Sequence, residues 1–284
     1  TFSSADLEVG TLSFFANGEY ALSDDLTLIG GLRVSEEDRS NVGFTQDLVS
    51  LPPASFLTMA PFGTPPITLA SIDDELSDTS VDWRIGLNWQ FSDDSMVFVS
   101  AAQGTKSGGF FTGVATLPEQ LQPYDPEDLL ALELGIKGQV NDLGLRYEAS
   151  VFYYDYNDVQ SYIRDNSGAI GTQRLGNIPG AEIYGADFQV GWYPQSLEGF
   201  SATVGGGILD TELESFAGPE GIVPAGNELP DAPETSFSID LRYRADLAGD
   251  QAIEIALDSR YQAEVFRDSL NDPLLQADSF TVTN

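Results

Sequence analysis

The chain has 284 residues, of which 12 are basic, 45 are acidic and none is histidine or cysteine, so its formal net charge is −33. Such a polyanion repels a phosphate backbone, and we therefore expect no nucleic acid among its partners. The absence of cysteine and histidine excludes structural zinc sites, haem and iron–sulfur ligation, disulfides, and nucleophiles that depend on either residue. Carboxylate chemistry and oxygen-ligated metal sites remain.

The composition predicts an ordered protein without a membrane-spanning helix. Apolar residues make up 42% of the chain and aromatic residues 11%, which is enough for an ordered structure of one or two domains. No run approaches the roughly 18 consecutive apolar residues of a transmembrane helix. Residues 1–6 lack the basic and apolar regions of a signal peptide. Because the first residue is not Met, we expect a processed or excised piece.

Alternation of apolar and polar residues is the dominant pattern, and it predicts β-strands. From Val81 to Phe91 every second residue is apolar, and the residues between are polar or glycine. An irregular strand of undecided register spans residues 96–105, and a last strand begins near Phe280. The strands of clear register span residues 12–22, 26–34, 81–91, 130–140, 145–153, 184–192, 200–208, 235–243 and 253–261.

The connections between these strands alternate between short and long. The short ones are rich in Asp, Asn, Gly and Pro, as tight turns are, and comprise residues 23–25, 92–95, 141–143, 194–199 and 244–250. The long ones comprise residues 36–79, 106–127, 159–182, 211–233 and 263–278. Strands of about 9–11 residues in an antiparallel up-and-down meander, with tight turns at one end and long loops at the other, are typical of an outer-membrane β-barrel.

The two faces of the strands differ as the faces of such a barrel do. A soluble up-and-down barrel also alternates, but here the apolar faces carry no charge, and a basic residue facing lipid at mid-bilayer costs about 2–4 kcal/mol. Aromatic residues near the tight turns fit an interfacial girdle: Tyr20, Trp89, Phe91, Trp192, Tyr193 and Tyr243. The polar faces have mixed charge: Arg33, Arg84, Lys137, Arg146, Arg242 and Arg260 against Glu19, Asp82, Glu133, Glu148, Asp187, Asp240, Glu254 and Asp258.

The location of the net charge follows from these faces. Six basic and eight acidic residues on the predicted inward faces nearly balance, and the lipid faces contribute none. We therefore expect about −31 of the charge in turns, loops and unassigned strands, where it solvates the surface.

Several motifs in fixed order resemble those of TonB-dependent outer-membrane receptors. They are the strand at residues 91–100 followed by Gly104-Thr105-Lys106-Ser107-Gly108-Gly109-Phe110, then Tyr124-Asp125-Pro126-Glu127 and residues 132–137. Next come residues 151–156 with Val159 and Gln160, Asn177 with residues 183–187, and the loop Gly226-Asn227-Glu228-Leu229-Pro230-Asp231-Ala232-Pro233.

The resemblance implies a barrel of the 22-stranded type with a plug domain inside, in the outer membrane of a Gram-negative bacterium. Residues 1–284 would form a partial barrel domain that lacks the plug, the energy-coupling box and the first and last strands, and that alone neither closes nor transports. It further implies active uptake of a scarce ligand, most often a ferric siderophore, driven by the TonB complex through the plug. The implied partners are membrane lipid, that complex and the ligand, without a cofactor, a resident metal or catalytic residues.

Three sets of residues are candidates for ligand binding. The glycine-rich run Lys106-Ser107-Gly108-Gly109-Phe110 with Phe111 lies at the loop end of its strand and could cradle an anion, although a bulge or bend of the wall is the favoured explanation. Arg84, Arg146 and Arg242 face the predicted lumen and could meet an anionic ligand or the plug, or pair with carboxylates across strands. Loop aromatics could grip a ligand or pack the loops: Phe56, Phe62, Phe110, Phe111 and Phe216.

Two other classes of protein remain as alternatives. One is a passive porin. The other is a secreted all-β protein that binds or hydrolyses carbohydrate, for which Glu133 with Glu148, or the adjacent pairs Asp73-Asp74 and Asp93-Asp94, would supply carboxylates. Acidic loops could bind Ca²⁺, but no EF-hand spacing is present.

Overall fold

A computed structural model describes residues 1–49, 54–55, 57–165, 172–218, 221–247, 249 and 251–284. The strands are β1 (Phe2–Ala21), β2 (Leu26–Asp47), β3 (Ile67–Ser92), β4 (Ser95–Lys106), β5 (Glu127–Val140), β6 (Leu145–Asp165), β7 (Thr172–Trp192), β8 (Phe200–Leu213), β9 (Phe216–Gly218), β10 (Gly221–Val223), β11 (Thr235–Asp246), β12 (Ala252–Gln262), β13 (Val265–Phe266), β14 (Gln276–Ala277) and β15 (Phe280–Thr283). Short 3₁₀ turns span Pro118–Leu121, Asn141–Leu143 and Pro273–Leu275.

Within the described residues, eleven of these strands form one antiparallel sheet in the order β1-β2-β3-β4-β5-β6-β7-β8-β11-β12-β15. Each long strand therefore pairs with its neighbours in the chain, and the predicted up-and-down meander is confirmed. The tight turns lie at one end of the sheet and the larger connections at the other. No helix among the described residues is long and apolar enough to cross a membrane.

Strand β4, whose register the sequence leaves undecided, is fixed by its neighbours. Val97 lies opposite Trp89 on β3 and opposite Ile136 on β5. Since directly opposed residues share a face, Val97, Val99 and Ala101 lie on the apolar face, and Phe98 and Lys106 lie on the inward face.

The predicted long connections at residues 36–79 and 159–182 are wrong. Strand β2 continues to Asp47 and β3 begins at Ile67, so most of residues 36–79 is a paired hairpin; β6 and β7 likewise extend to Asp165 and from Thr172. Strand β1 begins at Phe2 rather than at residue 12. Above the membrane both faces of a strand meet polar surroundings, so the apolar alternation ends although the backbone pairing does not.

The outward face has an apolar belt between two aromatic borders. Near the tight turns Trp89 and Phe91 lie 5.9 Å apart between ring centroids. At the opposite border Tyr153 and Tyr184 stack at 5.7 Å, and both phenol groups donate to the carboxylate of Glu182. Such borders are the girdles of a transmembrane barrel.

Beyond the outer border, the outward face of the extended strands carries exposed carboxylates. We call this set the acidic collar; it comprises Asp6, Glu8, Glu36, Asp38, Asp73, Glu75, Glu182, Asp210 and Glu212. Part of the acidity expected in loops therefore lies on paired strands.

Two small apolar clusters anchor the outer connections. Residues 107–126 fold against the inward side of the β2–β3 hairpin, where Ala115 and Leu121 pack on Ala70 and Ile72, and the Ala115 amide donates to Thr45 Oγ1 at 3.3 Å. The second cluster lies above β6–β8 and consists of Ile178, Ala181, Leu213 and Val223, with Phe216, Leu229 and Leu270 packed around it.

Candidate functional site

The glycine-rich run continues β4 at the end of the sheet opposite the tight turns. Gly109 and Tyr124 form an antiparallel bridge in which each amide donates to the other carbonyl, at 2.9 and 2.8 Å. A side chain at Gly108 would collide with the Tyr124 carbonyl, and one at Gly109 would collide with the Tyr124 ring and the Arg39 guanidinium. Gly108 is therefore required by close backbone approach, whereas a side chain at Gly109 would meet only the ends of two side chains.

Two amide side chains from the neighbouring strands hold this bridge in place. Gln160 Nε2 on β6 donates to the carbonyls of Lys106, Ser107 and Asp125, at 3.2, 3.0 and 3.1 Å. Asn177 on β7 accepts from the Asp125 amide at 2.8 Å and donates to the Asp125 carbonyl at 3.0 Å. The carbonyls of Lys106 and Ser107 and both backbone groups of Gly109 are thus committed to protein contacts.

The side chains around the run form what we call the outer mouth cluster: Arg39, Lys106, Gly109 and Tyr124. Lys106 Nζ lies 3.9 Å from Glu127 Oε2, and the Lys106 side chain is 61% exposed. Arg39 pairs with Glu37 on its own strand. The cluster therefore presents two cations at the outer end of the inward face, each with one carboxylate beside it.

The loop aromatics are distributed rather than gathered at this cluster. Phe110 is buried and Phe111 is half-buried, close to the run. Phe62 is exposed, and Phe216 packs against the apolar cluster above β6–β8. Phe56 lies outside the described residues.

The three inward arginines are not brought together. Arg84, Arg146 and Arg242 lie on β3, β6 and β11, so about 14 Å of sheet separates each from the next. Arg146 and Arg242 lie near the tight turns, far from Lys106.

Among the described residues, none of these arginines forms an ion pair with a carboxylate of a neighbouring strand. The residues directly opposite are Gly31 and Ala102 for Arg84, Gln139 and Gly191 for Arg146, and Ser201 and Ala256 for Arg242. The Arg242 guanidinium instead contacts Asp240 on its own strand, Nε to Oδ1 at 3.1 Å, and Arg146 lies over the Tyr193 ring at 5.5 Å.

The carboxylate pair considered for glycoside hydrolysis does not have the required geometry. Lys137 lies opposite Glu148 on β6, so Glu133 is four residues further along β5, and the two Cα atoms are about 14 Å apart. Side chains on one face of a sheet stand roughly perpendicular to it, so the two carboxyl groups are separated by a similar distance, which exceeds the carboxyl spacing of about 5–9.5 Å in glycosidases. Among the described residues, no three His, Cys, Asp or Glu side chains are grouped so that they could hold a metal ion.

One carboxylate at the outer end of β2 has a shifted pKa. Asp47 accepts hydrogen bonds from the hydroxyls of Ser55 and Thr58 and from the Val49 amide. These donors, Ser55 most strongly, lower the pKa of Asp47 from its ordinary value of 3.8. The side chain therefore ties Val49, Ser55 and Thr58 to the end of β2 as long as it is ionised.

Sequence reasoning missed several residues that the structure brings to the inward face. Arg39 lies in a stretch predicted to be a loop. Gln160 and Asn177 belong to the motifs quoted above, but their contacts with residues 106–125 depend on strand register, which the sequence does not provide.

The family model described as "TonB dependent receptor-like, beta-barrel" matches residues 1–284. Among solved structures, the ferric yersiniabactin uptake receptor FyuA from Yersinia pestis is similar with a TM-score of 0.76 and 18% identity, over 99% of this chain and 38% of that one. The siderophore receptor PiuA from Acinetobacter baumannii has a TM-score of 0.68 and 15% identity, over 98% and 36%.

A copper transporter, OprC, has a TM-score of 0.66 and 13% identity, over 98% of this chain and 39% of that one. At such identities the structural likeness shows the fold alone, and the chain spans well under half the length of these neighbours. The family consists of Gram-negative outer-membrane transporters rather than enzymes. With its whole length matched, its meander and its girdled belt, the chain belongs to the TonB-dependent receptor β-barrel family.

Proposed function

We propose that the full-length protein imports a scarce ligand, a ferric siderophore, by TonB-coupled transport across the outer membrane. The proposal is carried by the outer mouth cluster, where Lys106 and Arg39 lie on the inward face at the end opposite the tight turns. Each has a carboxylate beside it, but the Lys106 side chain is 61% exposed and its Nζ lies 3.9 Å from Glu127 Oε2, so its charge is accessible to an anionic ligand arriving from outside. Siderophore receptors among the structural neighbours support the same class of cargo.

The run Lys106–Phe111 contributes to binding through its first side chain in this proposal. The carbonyls of Lys106 and Ser107 and the amide of Gly109 already have protein partners, so Ser107, Gly108 and Gly109 hold the shape of the site. Phe110 and Phe111 flank it. Arg84, Arg146 and Arg242 line the wall further in, where they meet the ligand or the plug.

Uptake by intact cells tests the proposal. The full-length gene is expressed in a Gram-negative host that lacks its own ferric-siderophore receptors, and uptake of radiolabelled ferric tris-catecholate and ferric trihydroxamate complexes is measured with and without the TonB complex. We expect uptake of one class that stops without TonB while surface binding persists. Uptake that continues without TonB indicates a passive porin. If the cells neither bind nor take up any ferric complex, the proposed cargo is wrong, and a copper complex becomes the next probe.

Variants at the mouth separate ligand binding from folding. Lys106→Gln removes a charge-assisted contact, and we expect about tenfold weaker binding of the imported ferric complex. Arg267→Gln is the matched control, because it removes one positive charge in an outer loop where Arg267 pairs with Asp231. Equal affinity in the two variants would contradict a role for Lys106.

A further inference from the structure

A recess of about 580 Å³ opens on the inward wall between β1 and β4. Its floor is made of small residues, since Arg84 is flanked by Gly31 on one side and Ala102 on the other. Asn17 fills the space beside Gly31, where a side chain would collide with the Asn17 amide oxygen. Because the floor residues are small, the longer side chains around them extend further toward the lumen.

Two of these projecting side chains are arginines on neighbouring strands. Arg33 lies opposite Asp82, and Gly31 lies opposite Arg84. Arg33 and Arg84 are therefore diagonal neighbours on one face, with about 7–8 Å between their Cα atoms. Arg33 bonds Ser13 and Ser35 on the side away from Arg84, and by turning from these hydroxyls its long side chain reaches the same anion as Arg84.

Neither arginine is neutralised by a carboxylate in the part of the chain that the structure describes. Arg33 donates to Ser35 Oγ at 3.0 Å and to Ser13 Oγ at 3.1 Å. Among the described residues, neither Arg33 nor Arg84 forms an ion pair with a carboxylate oxygen within 4.0 Å. Asp82, the acid opposite Arg33, accepts from the Thr105 amide at 2.8 Å. With two arginines against the single carboxylate of Asp82, the residues that line the recess have a net charge of +1.

An aromatic ring completes the recess. Phe15 on β1 lies directly opposite Arg33 and lines the recess. A phenylalanine ring beside a guanidinium favours a flat apolar group of the ligand.

We propose that the Arg33–Arg84 recess is a second binding site on the ligand's path, taking an aromatic anion such as a catecholate or phenolate group of a metal complex. The site rests on the proposed import function. Ala102, at the floor of the recess, is four residues before Lys106 along β4. The recess therefore lies about 13 Å from the outer mouth cluster, toward the tight turns. A ligand leaving the mouth meets these two cations next.

Transport and binding measured in one receptor test the recess as a waypoint. In the full-length protein, the double variant Arg33→Gln/Arg84→Gln should bind ferric tris-catecholate at the cell surface within about twofold of the wild type, and should import it about tenfold more slowly. Arg244→Gln, an inward arginine paired with Asp246 near a tight turn, is the control and should import normally. Unchanged uptake in the double variant, or an equal loss in the control, would overturn the proposal.

The aromatic part is tested separately. Phe15→Leu should slow the import of ferric tris-catecholate but leave that of ferric citrate unchanged where both are imported. Equal effects on both complexes, or none, would contradict the aromatic preference.

A crystal of the full-length receptor soaked in bromide tests the site without any ferric ligand. We expect an anomalous peak between the two guanidinium groups, and its loss in Arg84→Gln. An empty recess, or a carboxylate of the same polypeptide seated on Arg33 and Arg84, would overturn the proposal. If the wild type imports no ferric complex, the proposed function fails, whereas the bromide result still decides whether the recess binds anions.

Discussion

Phe98 on β4 lies directly opposite Gly135 on β5, and its ring covers the Gly135 backbone so closely that a Cβ atom there would collide with it. Lys137 Nζ lies 5.8 Å from the centroid of the same ring. Phe152 and Gly185 repeat the arrangement on β6 and β7. Glycine in a strand is weak on its own, and the ring from the neighbouring strand compensates by covering it.

This relationship predicts opposite effects of the same substitution at two glycines. Gly135→Ala should destabilise the full-length barrel by about 1–3 kcal/mol, since the Phe98 ring must leave its position. Gly104→Ala, on the inward face of β4 with no atom within 4 Å of the added methyl group, should be neutral or slightly stabilising. Urea unfolding in detergent micelles measures both. Equal stabilities would show that the ring adapts without cost.

The Gln160 contacts predict a local effect at the outer mouth. Gln160→Ala removes the side-chain donor of the Lys106 and Ser107 carbonyls and one of the two donors of the Asp125 carbonyl, and we expect faster amide exchange over residues 106–126. Gln46→Ala is a suitable control, because Gln46 makes a single side-chain hydrogen bond to Thr68, at 3.4 Å. Unchanged exchange at 106–126 would mean that Asn177 alone holds the bridge.

Asp47 predicts a pH dependence at the end of the β2–β3 hairpin. Its pKa is lower in the folded protein than in the unfolded chain, so its stabilising effect is present above pH 3.8 and is lost as the pH falls through the folded-state pKa. We expect protection of residues 45–49 and 57–60 against exchange to fall in that acidic range. In Asp47→Asn the protection should already be lower at neutral pH, and it should not fall further in the acidic range. Asp142→Asn, at an exposed turn, serves as the control.

The belt predicts that charge is tolerated on one face only. Leu134 lies on the outward face of β5 and is 51% exposed, and Leu134→Arg should destabilise the full-length barrel in lipid by about 2–4 kcal/mol. Gln189→Arg adds the same group to the inward face, opposite Glu148, and should cost little. Similar losses from both substitutions would contradict the assignment of the lipid face.

The sequence predicts the part of each strand that crosses the membrane, because only there does one face meet lipid while the other meets polar groups. Val81 to Phe91 shows this alternation without interruption. After Val34 on β2 and before Val81 on β3 the alternation stops, yet Arg39 still pairs with Leu76 on β3. Pairing outside the membrane follows the hairpin already begun, and no local pattern marks its end.

For the Arg33–Arg84 recess, the sequence predicts which face Arg84 lies on but not which residues surround it. The period-two pattern places Arg84 on the inward face, where it is found. Its isolation between Gly31 and Ala102, and the nearness of Arg33 and Phe15, depend on which residues of three other strands lie opposite. Those pairings are tertiary facts that a single strand does not encode.

The acidic collar has a consequence for how copies of the receptor are arranged side by side. Electrostatic screening acts over about 8 Å at physiological ionic strength, so carboxylates such as Glu36, Glu75 and Glu212 repel a neighbouring copy only when the two walls almost touch. We expect lateral crowding of receptors in the membrane to increase with added salt, as chemical cross-linking between copies would measure. The protruding strands thus also set a minimum spacing between molecules.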